Sequence, residues 1–173
     1  SDTVRSTLDY ILADGIEDLV LLGLNRIDGM GNGADNELTG NSSDNVLDGL
    51  AGTDILTGGR GDDNFVASDH AQSVDSITDF VSGEDMILID ALAYDLFDTT
   101  TLMGYTQGTV NTSSFGTITN GVQDNVEALF VYDSDRNMLT VDADGSGAGV
   151  AVDVFDFSGT SEDPLSSDLY VLL

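Results

Sequence analysis

The sequence predicts an all-β chain: a right-handed parallel β-roll, capped by a C-terminal, mostly antiparallel β subdomain with at most one or two short helices. Three observations predict it. Tight-turn residues and short apolar triplets alternate with a period of nine, alternating apolar runs follow where that period ends, and the acidic residues vastly outnumber the basic ones.

The period rests on four consecutive nonapeptides: GNGADNELT (31–39), GNSSDNVLD (40–48), GLAGTDILT (49–57) and GGRGDDNFV (58–66). Glycine recurs at Gly31, Gly40, Gly49 and Gly58. Asparagine or aspartate recurs at Asn36, Asn45, Asp54 and Asp63, and a large apolar residue at Leu38, Leu47, Leu56 and Phe65. Six residues rich in Gly, Asn and Asp turn tightly, because glycine tolerates positive φ and Asn and Asp hydrogen-bond their own backbone. The other three, such as Ile55-Leu56-Thr57, suffice for a short strand whose middle side chain points inward. Turn plus strand is half a coil. Loops on the same edge of the roll therefore recur every second repeat, which places Asn36 over Asp54 and Asn45 over Asp63.

Charge says what such loops are for. The chain of 173 residues carries 32 acidic residues against four basic ones, all arginine, for a net charge of -28. That field repels nucleic acid and anionic lipid surfaces. Only five of the acids are glutamate, and the aspartates cluster beside glycine and asparagine in the turns. Stacked turns of this kind oppose carboxylates and main-chain carbonyls with nothing basic between them, an arrangement suited to calcium, which takes six to eight oxygen ligands. Zinc, iron and copper would call for His or Cys, and the chain has one histidine, His70, and no cysteine. No disulfide can staple it. No apolar run approaches the roughly 20 residues that span a bilayer, and the length suits one domain or two small subdomains sharing a core.

GGRGDDNFV matches the GGxGxDxUx pattern of the repeats-in-toxin (RTX) calcium-binding proteins at every fixed position, and GLAGTDILT misses only the second glycine. The resemblance implies a parallel β-roll holding several Ca2+ ions between successive turns. It implies as ligands Asp54 and Asp63, with the carbonyls of Gly49, Leu50, Ala51 and Gly52 and of Gly58, Gly59, Arg60 and Gly61. In the first two repeats Asn36 and Asn45 take the aspartate position, while Asp35 and Asp44 sit one place early. Upstream, GIEDLVLLGLNRIDGMGN is expected to add strands to the roll, one of them near Ile27. Downstream, SVDSITDFVSGEDMILID resembles the segment after the repeats in serralysin-type proteases and alginate epimerase R-modules. That likeness implies that Asp75 and Asp79 complete the last calcium shell; from local sequence they serve equally as caps on strand ends.

The chain thus divides into leading strands (1–30), four repeats (31–66) and a cap (67–173). Strands of the cap are expected at 86–90, 114–119, 128–133, 138–144 and 150–157, with a short helix around 91–97. Something must cover the roll's open end, and the cap is expected to do so. DSDRN (133–137) spaces its polar groups like an EF-hand loop, but Met138 stands where that loop needs glycine, so a hairpin turn is expected. DADGSG (142–147) suits either a tight turn or another calcium site.

Function follows as expectation. The chain offers no catalytic constellation: no HExxH, no cysteine nucleophile, no G-x-S-x-G elbow, and His70 lies in the polar stretch SDHAQS. It is expected not to be an enzyme itself. SDTVRSTLDYILADGIEDL has neither a signal-peptide pattern nor an initiator methionine, and the sequence is expected to be part of a longer chain. The resemblance implies a secreted bacterial protein, extracellular or at the cell surface, whose export uses the type I secretion machinery; SSDLYVLL, with Asp168 before an apolar tail, resembles the C-terminal signals of that route. An adhesin or polysaccharide-binding module is the alternative. Exposed Tyr94, Tyr105, Tyr132 and Tyr170 would favour it, and their burial would favour core packing.

Overall fold

The computed structural model describes residues 1–68, 73–90, 108–109, 115–119, 122–123, 130–141, 152–160, 163–164 and 168–172. Strands alternate between two sheets up to Asp90: β1 (Thr3–Ser6), β2 (Tyr10–Ile11), β3 (Asp18–Leu21), β4 (Gly29–Asn32), β5 (Glu37–Thr39), β6 (Val46–Leu50), β7 (Ile55–Thr57), β8 (Asn64–Ala67), β9 (Asp75–Ile77) and β10 (Met86–Asp90). Odd-numbered strands stack in parallel in one sheet and even-numbered strands in the other. Each coil therefore gives one strand to each sheet, as the nine-residue period requires. The strand expected near Ile27 is β4, which begins at Gly29.

The inward residues form two files. Leu19, Leu38, Leu56 and Ile77 face one another down the first sheet, and Leu47, Phe65, Ile87 and Leu169 down the second, all fully buried. Three-residue strands cannot hold themselves together. Burial of each large apolar side chain contributes roughly 1.5–3 kcal/mol, and it is the file rather than the single strand that is stable. In the coil above Leu47 the paired residue is Gly29, where a Cβ would sit 3.0 Å from Leu19 Cδ2 and 3.3 Å from Leu47 Cδ2. Neighbouring leucines fill that slot.

The cap continues both sheets. Its strands are β11 (Gly108–Thr109), β12 (Phe115–Thr119), β13 (Val122–Gln123), β14 (Phe130–Asp133), β15 (Met138–Val141), β16 (Val152–Asp156) and β17 (Leu169–Leu172). β16 adds in parallel to β9, and β15 and β14 follow antiparallel; β12 then pairs in parallel with β14 and β13 antiparallel with β12. β17 adds in parallel to β10, with β11 antiparallel on its far side. The edges left open by the last coil are thereby paired, which removes a template for aggregation. Aromatic rings join the two parts: Phe80 packs on Phe65 (centroids 6.3 Å) and edge-on to Phe157 (5.3 Å), which also meets Tyr132 (6.1 Å) and Phe155 (6.3 Å).

DSDRN is the hairpin turn between β14 and β15, closed by Arg136 N donating to Asp133 O at 3.2 Å, with Asn137 at φ 54°. Burial pushes the Asp133 carboxyl up, but hydrogen bonds from Arg136 and the Asp135 main chain outweigh it and hold the group below the usual carboxylate range. Among the described residues there is no α-helix, and no helix long and apolar enough to cross a membrane. The helix expected at 91–97, the DADGSG segment, His70, Tyr94 and Tyr105 lie outside the described residues.

Leu50 has φ 65°, in the left-handed region, where the equivalent Gly59 of the next repeat has φ 107°. A leucine there costs roughly 1–2 kcal/mol against glycine, partly offset by the extra freedom glycine brings to the unfolded chain. Leu50→Gly is expected to raise Tm in saturating calcium by about 2 °C in calorimetry. An unchanged or lower Tm would show that the half-buried leucine packs well enough to repay its backbone.

Candidate metal centre

The loops stack along two edges of the roll, and one hydrogen bond repeats down each edge. The main-chain N–H of the residue in the sixth position of a repeat donates to a carboxylate one coil further on. Asn36 N donates to Asp54 Oδ1 at 2.7 Å, and Asp54 N to Asp75 Oδ1 at 2.9 Å. On the other edge Asn45 N donates to Asp63 Oδ1 at 2.8 Å, and Asp63 N to Asp85 Oδ1 at 2.9 Å. Asp75 thus stands to Asp54 as Asp54 stands to Asn36, and Asp85 ends the second column. These bonds fix one oxygen of each acid; Asp85 also takes Val81 N on its Oδ2 at 2.8 Å.

Glycine at the start of each repeat lets the main chain close on these carboxylates. A Cβ on Gly49 or Gly58 would collide with the Asp54 or Asp63 side chain, and one on Gly31 or Gly40 with the carbonyl oxygen of Gly49 or Gly58. Carboxylate and carbonyl oxygens are therefore crowded between successive loops.

The electrostatics of the columns are those of a site built for a cation. Asp54 is fully buried, and its Oδ2 has no hydrogen-bond partner. Burial pushes its pKa up to about 7, against the opposing N–H of Asn36 and with help from the charges of Asp75, Asp35 and Asp48. Asp63 is pushed up to about 6, by burial first and then by Asp85, Asp79 and Asp44. Asp85 is raised by burial, with Asp79 and Glu84 adding to it, although two main-chain N–H groups oppose the shift. An unpaired buried carboxylate is among the costliest groups a fold can carry, and a hard cation removes the cost.

Among the described residues, no three His, Cys, Asp or Glu side chains converge on one point. A metal held here must draw part of its shell from main-chain carbonyls, which calcium accepts and transition metals do not favour. The donor set fits calcium: Asp54, Asp63, Asp75 and Asp85 for charge, with the carbonyls of the repeat loops, Gly49 and Gly58 foremost, for the remainder.

The other candidates fall into distinct places. Asp79 accepts from Gly58 N through Oδ1 and Gly59 N through Oδ2, both at 2.8 Å, so it clasps the opening of the last repeat loop. Asp35 and Asp44 are exposed and accept from Thr53 N (2.9 Å) and Asp62 N (3.1 Å), stapling successive loops at the solvent edge and outside the buried columns. Ala51 and Gly52 lie in the loop that faces 31–36, with Gly52 against Ala34 O; Gly61 lies against Ser43 and Asp44, and the exposed Arg60 donates its main-chain N–H to Asn41 O at 3.4 Å. Asn36 and Asn45 are buried, each folding its Oδ1 back onto its own loop, to Asn32 N (2.8 Å) and Asn41 N (2.7 Å).

Asp85 is the residue sequence reasoning missed. It is separated from Asp63 by 22 residues, where the repeats use 18, so a nine-residue register passes it by. The available signal was local: Gly83-Glu84-Asp85 is a glycine-led acidic turn just before an apolar strand, as in the repeats themselves.

With this geometry in place, comparison with known families agrees with it. The RTX calcium-binding nonapeptide repeat family matches residues 30–65, in four copies. Among curated proteins none is similar enough in sequence to be matched with the chain. Residues 30–65 are RTX repeats that bind calcium ions, and the parallel solenoid they build is an RTX β-roll.

Proposed function

We propose that this chain is a calcium-triggered folding module of a larger exported bacterial protein, unfolded where calcium is scarce and folded outside the cell. The observation that carries this reading is Asp54 Oδ2, buried without a partner in a column of like charges. Such a column is unfavourable at neutral pH unless a cation enters it. A site that exists only in the folded state adds about 1.4 kcal/mol for each tenfold excess of calcium over its dissociation constant. A few such sites suffice, because native stability is itself only about 5–15 kcal/mol.

The packing of the last strand supports a link with secretion. Asp168 accepts from Ser82 Oγ at 2.7 Å and from Gly83 N at 3.3 Å, and β17 lies in register on β10. In the folded state Leu169–Leu172 of this signal-like segment is committed to the sheet, and the type I machinery would meet it only on an unfolded chain. Here the module's work is folding and export, and catalysis belongs to whatever is joined to it. The polysaccharide-binding alternative draws less support: Tyr132 is buried in the core with its hydroxyl on Asp163 Oδ1 at 2.8 Å, and Tyr170 is half-buried.

Calcium titration followed by far-ultraviolet circular dichroism tests the proposal, with magnesium as control. The expected result is a cooperative gain of β signal with calcium alone. A spectrum already folded in chelator and indifferent to calcium would overturn it.

A further inference from the structure

Asparagine at two positions sets the first two repeats apart from the last two. Their second residues are Asn32 and Asn41, where the later repeats have Leu50 and Gly59, and their sixth are Asn36 and Asn45, where the later repeats have Asp54 and Asp63. All four side-chain amides point the same way, into the coil that precedes the repeats. Asn32 Nδ2 donates to Ala13 O (3.0 Å) and Ile16 O (2.8 Å), and Asn36 Nδ2 to Ile16 O and Glu17 O (both 3.2 Å). On the other edge Asn41 Nδ2 donates to Asn25 O (2.9 Å) and Asn45 Nδ2 to Ile27 O (2.6 Å).

A carboxylate at these sites would set oxygen against oxygen. An amide sets hydrogen against oxygen and bridges facing carbonyls as a cation would, with no ion to bind or lose. We propose that Asn36 and Asn45, backed by Asn32 and Asn41, are built-in substitutes for calcium that end the ion column on its N-terminal side. The inference rests on the calcium-binding reading of Asp54 and Asp63. It assigns the loops two unlike faces: toward Asp54 and Asp63 they share ions, and toward residues 13–28 they share only hydrogen bonds. The leading coil is fastened to the repeats without calcium, and the number of ions is limited by where asparagine gives way to aspartate.

The test is the double variant Asn36→Asp, Asn45→Asp, in which Oδ1 can still accept from Asn32 N and Asn41 N and only the amide is lost. Ions per chain are counted by titration calorimetry and Tm is read in saturating calcium. The expected result is the wild-type ion count with Tm lower by roughly 5–10 °C, as befits buried donors replaced by repelling acceptors. Additional ions with Tm held would overturn the proposal, since the positions would then be metal sites; so would an unchanged count with an unchanged Tm. Should the variant fail to fold, the calcium-loaded wild type decides by NMR: the Nδ2 protons of Asn36 and Asn45 must be protected from exchange, and free exchange refutes the bridge. A wild type that binds no calcium would instead defeat the calcium-binding reading and leave the amide bonds to be judged by exchange alone.

Discussion

Replacing Asp54 and Asp63 together with alanine is expected to shift the midpoint of calcium-induced folding upward by at least about 100-fold, equivalent to about 2.7 kcal/mol. On the proposed reading, each substitution removes a charged oxygen from a calcium shell. Each also strands a buried main-chain donor, Asn36 N or Asn45 N, and a buried unsatisfied donor costs about 1–3 kcal/mol by itself. Asp85→Ala should act in the same direction but less, by about tenfold. It ends its column, and of the two N–H groups it releases, Asp63 N is buried whereas Val81 lies at an exposed position. The measurement is the calcium midpoint by circular dichroism, with Asp54→Asn alongside to keep an acceptor for Asn36 N while removing the charge. A double variant that folds at the wild-type midpoint would show that neither column holds the ions on which folding depends.

Acidification in the absence of calcium is expected to fold the roll, the reverse of ordinary acid denaturation. Asp54 and Asp63 have folded-state pKa values of about 7 and about 6, above the ordinary 3.8 that applies when the chain is unfolded. Between these limits the folded state binds more protons, so stability falls as pH rises. The contribution is fully present below pH 3.8 and is lost as pH climbs through 6 and 7, amounting to about 4 kcal/mol for Asp54 and about 3 kcal/mol for Asp63. Protons then do what calcium does, by removing buried charge. Lowering the pH from 8 to 5 in chelator should raise the β signal, and in saturating calcium the same change should weaken ion binding because protons compete for the carboxylates. A calcium-free chain that loses structure over that interval would contradict the burial of these acids.

Much of the roll was legible because its information is local. Gly31, Gly40, Gly49 and Gly58 mark where each turn begins, and Leu38, Leu47, Leu56 and Phe65 mark which residue points inward; these positions land in two buried files as the period demands. The strands expected at 86–90, 114–119, 128–133, 138–144 and 150–157 correspond to β10, β12, β14, β15 and β16. Local patterning did not say that β16 and β17 would join β9 and β10 in parallel and so extend the roll's own sheets. Strand order depends on paths through the intervening loops.

The candidate site divides in the same way. Asp54 and Asp63 follow from the repeat, and Asp75 follows from its likeness to a neighbouring family segment. Asp85 does not, because the last coil on that edge is longer than 18 residues. Nor could composition show that Asp35 and Asp44 would stay at the solvent edge, or that the hydroxyl of Tyr132 would find Asp163 within the core.

By itself, then, the sequence determined the period, the inward file, the placement of acids in tight turns and the demand for a hard cation, since turn preference, strand length and charge are properties of nine residues at a time. Only the tertiary structure decided which acid meets which loop, which way the amides of Asn36 and Asn45 face, and that Leu50 must adopt a glycine's backbone. Those outcomes depend on the coil above or below, and a coil's height and register come from packing the whole stack.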